Sequence, residues 1–242
     1  DIHLANRLGD LEQYRRILLP EVKEYIAASQ KRVYLLNVGD MTFDLYWNSL
    51  KYDLNSYVNT LKDSAVPGLI YHVPGNHDND EYAADDFSAE KPYKELFGPT
   101  YYSFNIGKVH FIMLDNTVYL NAGADASTKT PGDHSYNSAL TDRELAWLKA
   151  DLETVKDKNA PLVIGTHCQM FYYNSAFAIT PSMAYGHSTQ LDEMLREFTD
   201  VHIISGHTHN NNVMKIREGL TEHNTGGSCA TWWWTGYYDN GH

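Results

Sequence analysis

Val33-Tyr34-Leu35-Leu36-Asn37-Val38, Leu162-Val163-Ile164-Gly165 and Val201-His202-Ile203-Ile204-Ser205 are short, nearly continuous apolar runs. Runs of this kind suit strands buried on both faces, as in parallel sheets. Between them lie stretches with helical spacing. Leu8 to Lys31 is one, and Pro20 predicts a kink or a fresh start within it. Leu50 to Leu61 is another, Tyr93 to Phe97 a shorter one, and Leu191 to Phe198 a fourth. Thr141-Asp142-Arg143-Glu144 is a capping box in front of Leu145, Leu148 and Leu152. Tyr101–Ile106 and Val109–Leu114 flank Gly107-Lys108 and predict a hairpin. Val213 to Trp234 reads as two or three antiparallel strands, broken at Gly226-Gly227. The alternation leaves a layered α/β architecture with a mixed sheet or a pair of sheets.

The strands matter for where they end. The run Leu69-Ile70-Tyr71 leads into Val73-Pro74-Gly75-Asn76-His77-Asp78, which puts an amide, an imidazole and a carboxylate at one tight turn. Val33–Val38 ends in Gly39-Asp40, Leu162–Thr166 in His167, and Val201–Gly206 in His207-Thr208-His209. The chain opens on Asp1-Ile2-His3, whose i, i+2 spacing puts both side chains on one side of an extended segment. Open α/β sheets bind ligands at the carboxyl ends of their strands. Carboxylates and imidazoles gathered there suit two divalent ions, with Mn, Fe, Zn, Co and Ni equally compatible. A carboxylate such as Asp40, central in the set, can bridge two ions. A dimetal site can clamp a phosphoryl group and activate water for in-line attack. The spare imidazole, His77, is placed to protonate a leaving group.

Composition narrows the partners. The chain has 242 residues, enough for one large domain, and 43% are hydrophobic. Its 19 basic and 31 acidic side chains give a net charge of −12, with no basic cluster longer than a pair. That disfavours double-stranded nucleic acid and anionic membranes as partners, but not small phosphoesters, since bound metal supplies positive charge locally. No apolar run reaches membrane-spanning length. Cys168 and Cys229 are too few for a disulfide scaffold or a thiolate zinc site, and either two free thiols or one disulfide fits. Both ends read as cut from a longer chain, with 226–242 leading toward a further domain and 1–242 forming a single catalytic domain.

The ordered set Asp-x-His, Gly-Asp, Gly-Asn-His-Asp, His and Gly-His-x-His resembles the calcineurin-like metallophosphoesterases, with all five blocks in order over Asp1 to His209. The resemblance implies a four-layer α/β/β/α sandwich of two mixed sheets flanked by helices. It implies that Asp1, His3 and His209 bind one metal, that Asn76, His167 and His207 bind a second, and that Asp40 bridges them. It further implies that His77 is the general acid or contacts the phosphate, and that Asp78 orients its neighbours. Gly39-Asp40 is followed by Met41-Thr42-Phe43-Asp44, so the arginine loop of the protein serine/threonine phosphatase branch is missing. Trp232-Trp233-Trp234-x-Gly236 resembles the junction in secreted bacterial members with an added C-terminal β domain, which implies a secreted or periplasmic protein.

The expected activity is therefore hydrolysis of a phosphomonoester or phosphodiester of a small molecule, nucleotide or lipid head group. Two alternatives stand beside it. A metal-dependent amidohydrolase is expected to open with His-x-His, whereas here that pair comes last. A non-catalytic binding module has little use for His77. The segments 116–137 and 168–187 lack periodicity and read as long loops that set the substrate. His134 and His187 lie in them as candidates to face it, and Tyr172-Tyr173 as candidates to line a pocket. His72, His110 and His202, inside strands, read as packed or surface histidines, and Asp115 as a strand-end carboxylate.

Overall fold

A computed structural model of the protein describes residues 1–228. Cys229 and Trp232–Trp234 lie outside the described residues. The strands are β1 (Leu35–Asn37), β2 (Ile70–His72), β3 (Tyr102–Ile106), β4 (Val109–Met113), β5 (Thr117–Tyr119), β6 (Tyr136–Ser138), β7 (Leu162–Gly165), β8 (Phe171–Tyr173), β9 (Ile179–Pro181), β10 (Val201–Ser205), β11 (Asn212–Arg217) and β12 (Leu220–Asn224). The larger sheet has six strands in the order β11-β12-β10-β7-β4-β3. It is mixed: β4, β7, β10 and β12 run parallel, and β3 and β11 add antiparallel edges. β1 and β2 pair in parallel as a second, smaller sheet. Val213 onward thus gives one antiparallel pair, while β12 lies parallel to β10.

Strand alternation sorts the core into layers. Ile112, Leu114, Leu162, Ile164, Val201 and Ile203 face the helices Asp142–Thr154 and His187–Met194 through Leu148, Leu152 and Leu191. On the other face Phe111, Met113 and Ile204 meet Leu36, Val38 and Val73 of the smaller sheet. There Tyr71 stacks on Phe104 at 3.9 Å, and Phe104 on Phe111 at 5.0 Å. Beyond the smaller sheet a third cluster joins Leu4, Tyr14, Leu19, Met41, Leu54, Tyr57 and Tyr93 from the N-terminal segment and the helices Leu54–Asp63 and Lys91–Phe97. Helix, sheet, sheet and helix follow in that order.

Local rules account for several boundaries. The N-terminal helical stretch is an α-turn at Asp10–Gln13, a π-helical segment at Tyr14–Leu18 and an α-helix at Leu19–Ala28. Pro20 falls in the first turn of the last piece, directly after the π-helical segment, so the helix runs on with a change of winding there. Thr141 caps its helix by accepting from Glu144 N at 3.2 Å. The box is not reciprocal, because the buried Glu144 carboxylate instead accepts from Asp115 N at 2.8 Å. Segments 116–137 and 168–187 are more ordered than their composition predicts, since each contains a short hairpin, β5–β6 and β8–β9. Among the described residues no helix is long and apolar enough to cross a membrane.

The in-strand histidines serve packing. His110 sits between Asn105 and Asp151, His202 pairs with His223 at 2.9 Å, and His72 packs on Tyr57 and Phe97. His187 is buried and its Nδ1 accepts from Leu140 N at 3.0 Å, so this candidate pins a loop. Tyr172 and Tyr173 are exposed.

Glu222 on β12 anchors the entry to β8 by accepting from Met170 N and Phe171 N at 2.8 and 2.9 Å, and from Ser205 Oγ at 2.8 Å. Burial pushes its carboxyl from 4.5 up to about 7, against the pull of those donors. The folded state therefore holds a proton that the unfolded chain has released, so this group's contribution to stability falls as pH rises from 4.5 to about 7. Glu222→Gln is expected to flatten that part of the stability–pH curve, as read by urea unfolding at pH 5 and pH 8.

Candidate metal centre

Four of the parallel strands deliver their polar ends to one place. β1 leads to Asp40, β2 to Asn76 and His77, β7 to His167, and β10 to His207 and His209. The N-terminal segment is laid along the first of these turns: Ile2 N and His3 N both donate to Asp40 O at 2.9 and 2.7 Å, and Leu4 bridges Thr42. Two glycines make the approach possible. A Cβ on Gly39 would come within 2.6 Å of His167 Nδ1, and one on Gly75 would overlap the Asp40 carboxylate. Four of the converging residues are left-handed without being glycine: His3, Asp40, His207 and His209, with φ of 57°, 48°, 65° and 58°. Backbone of this kind is held in place only by surrounding structure, and it clusters at functional sites.

The structure brings all seven expected ligands together in two joined groups. In the first, His3 Nε2 lies 2.8 Å from Asp1 Oδ1 and 2.9 Å from His209 Nε2, and His209 Nε2 is 3.5 Å from Asp1 Oδ1. In the second, His167 Nε2 lies 3.0 Å from Asn76 Oδ1 and 3.2 Å from His207 Nδ1. Asp40 Oδ2 stands between them, 3.3 Å from His3 Nε2 and 3.3 Å from His167 Nε2.

Hydrogen bonds select which atom each ring offers. His167 Nδ1 donates to Val38 O at 2.7 Å, leaving Nε2 for the cluster. His207 Nε2 lies 3.0 Å from Tyr136 OH, leaving Nδ1. A partner on the far nitrogen fixes the tautomer and aims the ring.

The donor set fits metal ions. Asp1 Oδ1 and Asp40 Oδ2 are fully buried and accept no hydrogen bond among the described residues. Two orphaned carboxylate oxygens beside four imidazoles are costly without a cation. Burial lowers His3 well below the ordinary imidazole value and His207 to about 3, which keeps both rings in the neutral, ligating form. Cys168 is also close to His167 and His207. Burial pushes its thiol up to about 12, so it stays protonated, in keeping with a site of oxygen and nitrogen donors.

His77 stands against this cluster, its ring 5.3 Å from that of His3 and 4.2 Å from Phe43. Its Nδ1 bonds Asp44 Oδ1 at 2.8 Å. Burial pulls its pKa down, but the charges of Asp40 and Asp44 outweigh that and raise it. The Asp44 side chain is wholly buried. Burial would raise its carboxyl, yet hydrogen bonds from His134 and His77 hold it below the usual carboxylate range. Neither Asp44 nor the tyrosines Tyr119 and Tyr136 stand out in the sequence. For Asp44 a signal exists, a second carboxylate four residues after Asp40 on a loop facing Gly-Asn-His-Asp. His134, from the 116–137 segment, does reach the site.

Asp78 orients the loops that carry the ligands and not the ligands themselves. Its Oδ1 accepts from Met41 N and Thr42 N at 2.9 and 3.3 Å, and its Oδ2 from Gly75 N at 2.9 Å. Burial, with Asp40 nearby, lifts its carboxyl to about 7. Asp78→Ala leaves three buried N–H groups unpaired, at about 1–3 kcal/mol each. The variant is expected to lose about 3 kcal/mol or more in urea unfolding, and to bind added Mn²⁺ more weakly in calorimetry.

No curated protein sequence matches the chain. Solved structures do. A dimetal phosphatase from Danio rerio superposes with a TM-score of 0.61 at 16% identity, over 91% of this chain and 78% of that one. Purple acid phosphatase PPD1 from yellow lupin gives 0.59 at 14%, over 91% and 40%. A 5′-nucleotidase from Staphylococcus aureus, itself assigned only provisionally, gives 0.56 at 14%, over 88% and 43%. This chain thus spans less than half the length of the last two, and at these identities the likeness establishes the fold. The sequence model of the calcineurin-like phosphoesterases matches residues 1–211, most of the chain. With its mixed α/β fold and its strand-end ligands, the chain belongs to the calcineurin-like phosphoesterase family.

Proposed function

We propose that the chain hydrolyses small phosphoesters at a dinuclear centre. Asp1, His3 and His209 would hold one divalent ion, Asn76, His167 and His207 would hold the other, and Asp40 lies where either could use it. The observation that carries this reading is Asp40 Oδ2, buried, without a hydrogen bond, and 3.3 Å from an imidazole nitrogen of each group. When bound, divalent ions supply Lewis acidity toward the phosphoryl group and the attacking water.

The chain's own residues do the rest. Asp40 Oδ1 accepts from His77 N at 2.9 Å, which ties the shared ligand to the turn that carries the acid. The bond from His77 Nδ1 to Asp44 fixes the ring and leaves Nε2 as the atom that carries a proton to the leaving oxygen. Asp44, ionised beside it, favours the imidazolium. A net charge of −12 disfavours long polyanions, so the substrate is a small molecule, nucleotide or lipid head group.

The test is metal content after loading with Mn²⁺ or Zn²⁺, with hydrolysis of p-nitrophenyl phosphate and its bis ester. Two ions per chain are expected. His77→Asn is expected to retain both and to lower kcat by about 10²–10⁴-fold. A protein that binds two ions and hydrolyses neither ester would be a metal-clipped binding module, contrary to the proposal.

A further inference from the structure

The β5–β6 hairpin carries a group that the seven clustered ligands and His77 leave unused. His134 stands at the entry to β6 with φ 56°, a left-handed backbone that is uncommon outside glycine but that histidine adopts more readily than most residues. The surrounding loop is built to hold it there. His134 N donates to Asn121 Oδ1 at 3.0 Å. Asn121 is fully buried and donates to Glu81 O and Ala83 O at 2.8 and 2.7 Å. Gly132 packs so tightly on this amide that a Cβ would overlap Asn121 Oδ1. A buried amide, a closely packed glycine and a left-handed turn together place one ring.

That ring is placed on Asp44. His134 Nδ1 lies 2.7 Å from Asp44 Oδ2, while Asp44 Oδ1 takes His77 Nδ1 at 2.8 Å. Tyr119 OH adds a contact of 3.2 Å to His134 Nδ1. One buried carboxylate therefore holds two imidazoles, one on each oxygen. The two side chains are exposed to nearly the same degree, 21% for His77 and 23% for His134. Each has its Nδ1 engaged and projects Nε2 away from Asp44. No hydrogen bond engages His134 Nε2 among the described residues. The bond to Asp44 raises the His134 pKa, with Glu81 adding in the same direction and His77 opposing. One carboxylate needs only one imidazole to cap it, and here a second is built onto its other oxygen, with its Nε2 unengaged among the described residues.

We propose that His134 is a second phosphate-binding imidazole, and that with His77 it makes the site select phosphomonoester dianions over diester monoanions. This rests on the dinuclear reading above and gives it a substrate class. A monoester presents a third anionic oxygen that an added cation can pair. In a diester that position carries a neutral ester oxygen, and the second ring finds no charge there.

The test is His134→Gln in the metal-loaded protein, with a matched monoester and diester and with inorganic phosphate as inhibitor. Glutamine keeps an amide donor for Asp44 and removes the charge. The monoester kcat/KM is expected to fall about 10–100-fold, mostly through KM, with the diester changed by less than about threefold. Inhibition by phosphate is expected to weaken about tenfold, and His134→Lys to recover part of it. Unchanged ester preference and phosphate inhibition, in a variant that melts like the parent, would reduce His134 to a cap on Asp44 and overturn the proposal. Equal losses on both esters would do the same. Were the glutamine variant not to fold, the ester ratio of His134→Lys decides: a ratio retained near the parent's supports the proposal, and one that favours the diester overturns it. Failure of the parent protein to hydrolyse either ester would instead overturn the phosphoesterase reading itself.

Discussion

The site depends on one carboxylate that cannot satisfy itself. Asp40 is fully buried, left-handed at φ 48°, and leaves Oδ2 without a hydrogen bond between two sets of imidazoles. An ionised oxygen in such a place is unfavourable unless positive charge joins it. Burial would neutralise the acid, but the facing histidines hold it well below the usual carboxylate range. Much of the local architecture serves this group. Gly75 gives up its side chain to make room for it, His77 N–H takes its other oxygen, and Ile2 and His3 lay their N–H groups on its carbonyl. Asp78 clamps the two loops on either side.

The residues that cluster are legible in the sequence because each strand end is read locally. An apolar run stopping at Gly-Asp or Gly-His-x-His carries its meaning within a few residues. The layers were legible for the same reason, since strand alternation and helical spacing are short-range signals. What was not legible depended on distant pairings. Asp44 becomes a partner for His77 only because the turn after β2 folds over the loop after β1, a pairing that its place four residues after Asp40 hints at and does not fix. Tyr136 and Tyr119 are ordinary strand tyrosines until β5–β6 lies across the cluster. The segment 116–137 read as unstructured because its strands are three residues each, too short to show a period. His134 and His187 looked equivalent in sequence, yet one reaches Asp44 and the other pins Leu140.

The β5–β6 hairpin contributes a different kind of order from the sheets. It adds no ligand, yet it touches both halves of the chemistry: Tyr136 orients His207 in the metal cluster, and Tyr119 and His134 reach the carboxylate behind His77. A scaffold whose ligands sit on rigid strand ends can vary such a hairpin without disturbing the centre. On such scaffolds loops of this kind are where variation is tolerated.

The cluster also has a history within each molecule. His3 and His209 meet at 2.9 Å although 206 positions separate them. A ribosome releases the first of them long before the last. Until β10 has emerged and joined the larger sheet, the growing chain displays Asp1, His3, Asp40 and Asn76 as an incomplete set of donors. The full set of donors therefore exists only when both sheets are in place, because the contacts that gather it span most of the chain. The donor cluster is thus a property of the assembled sheets and of no single stretch of chain.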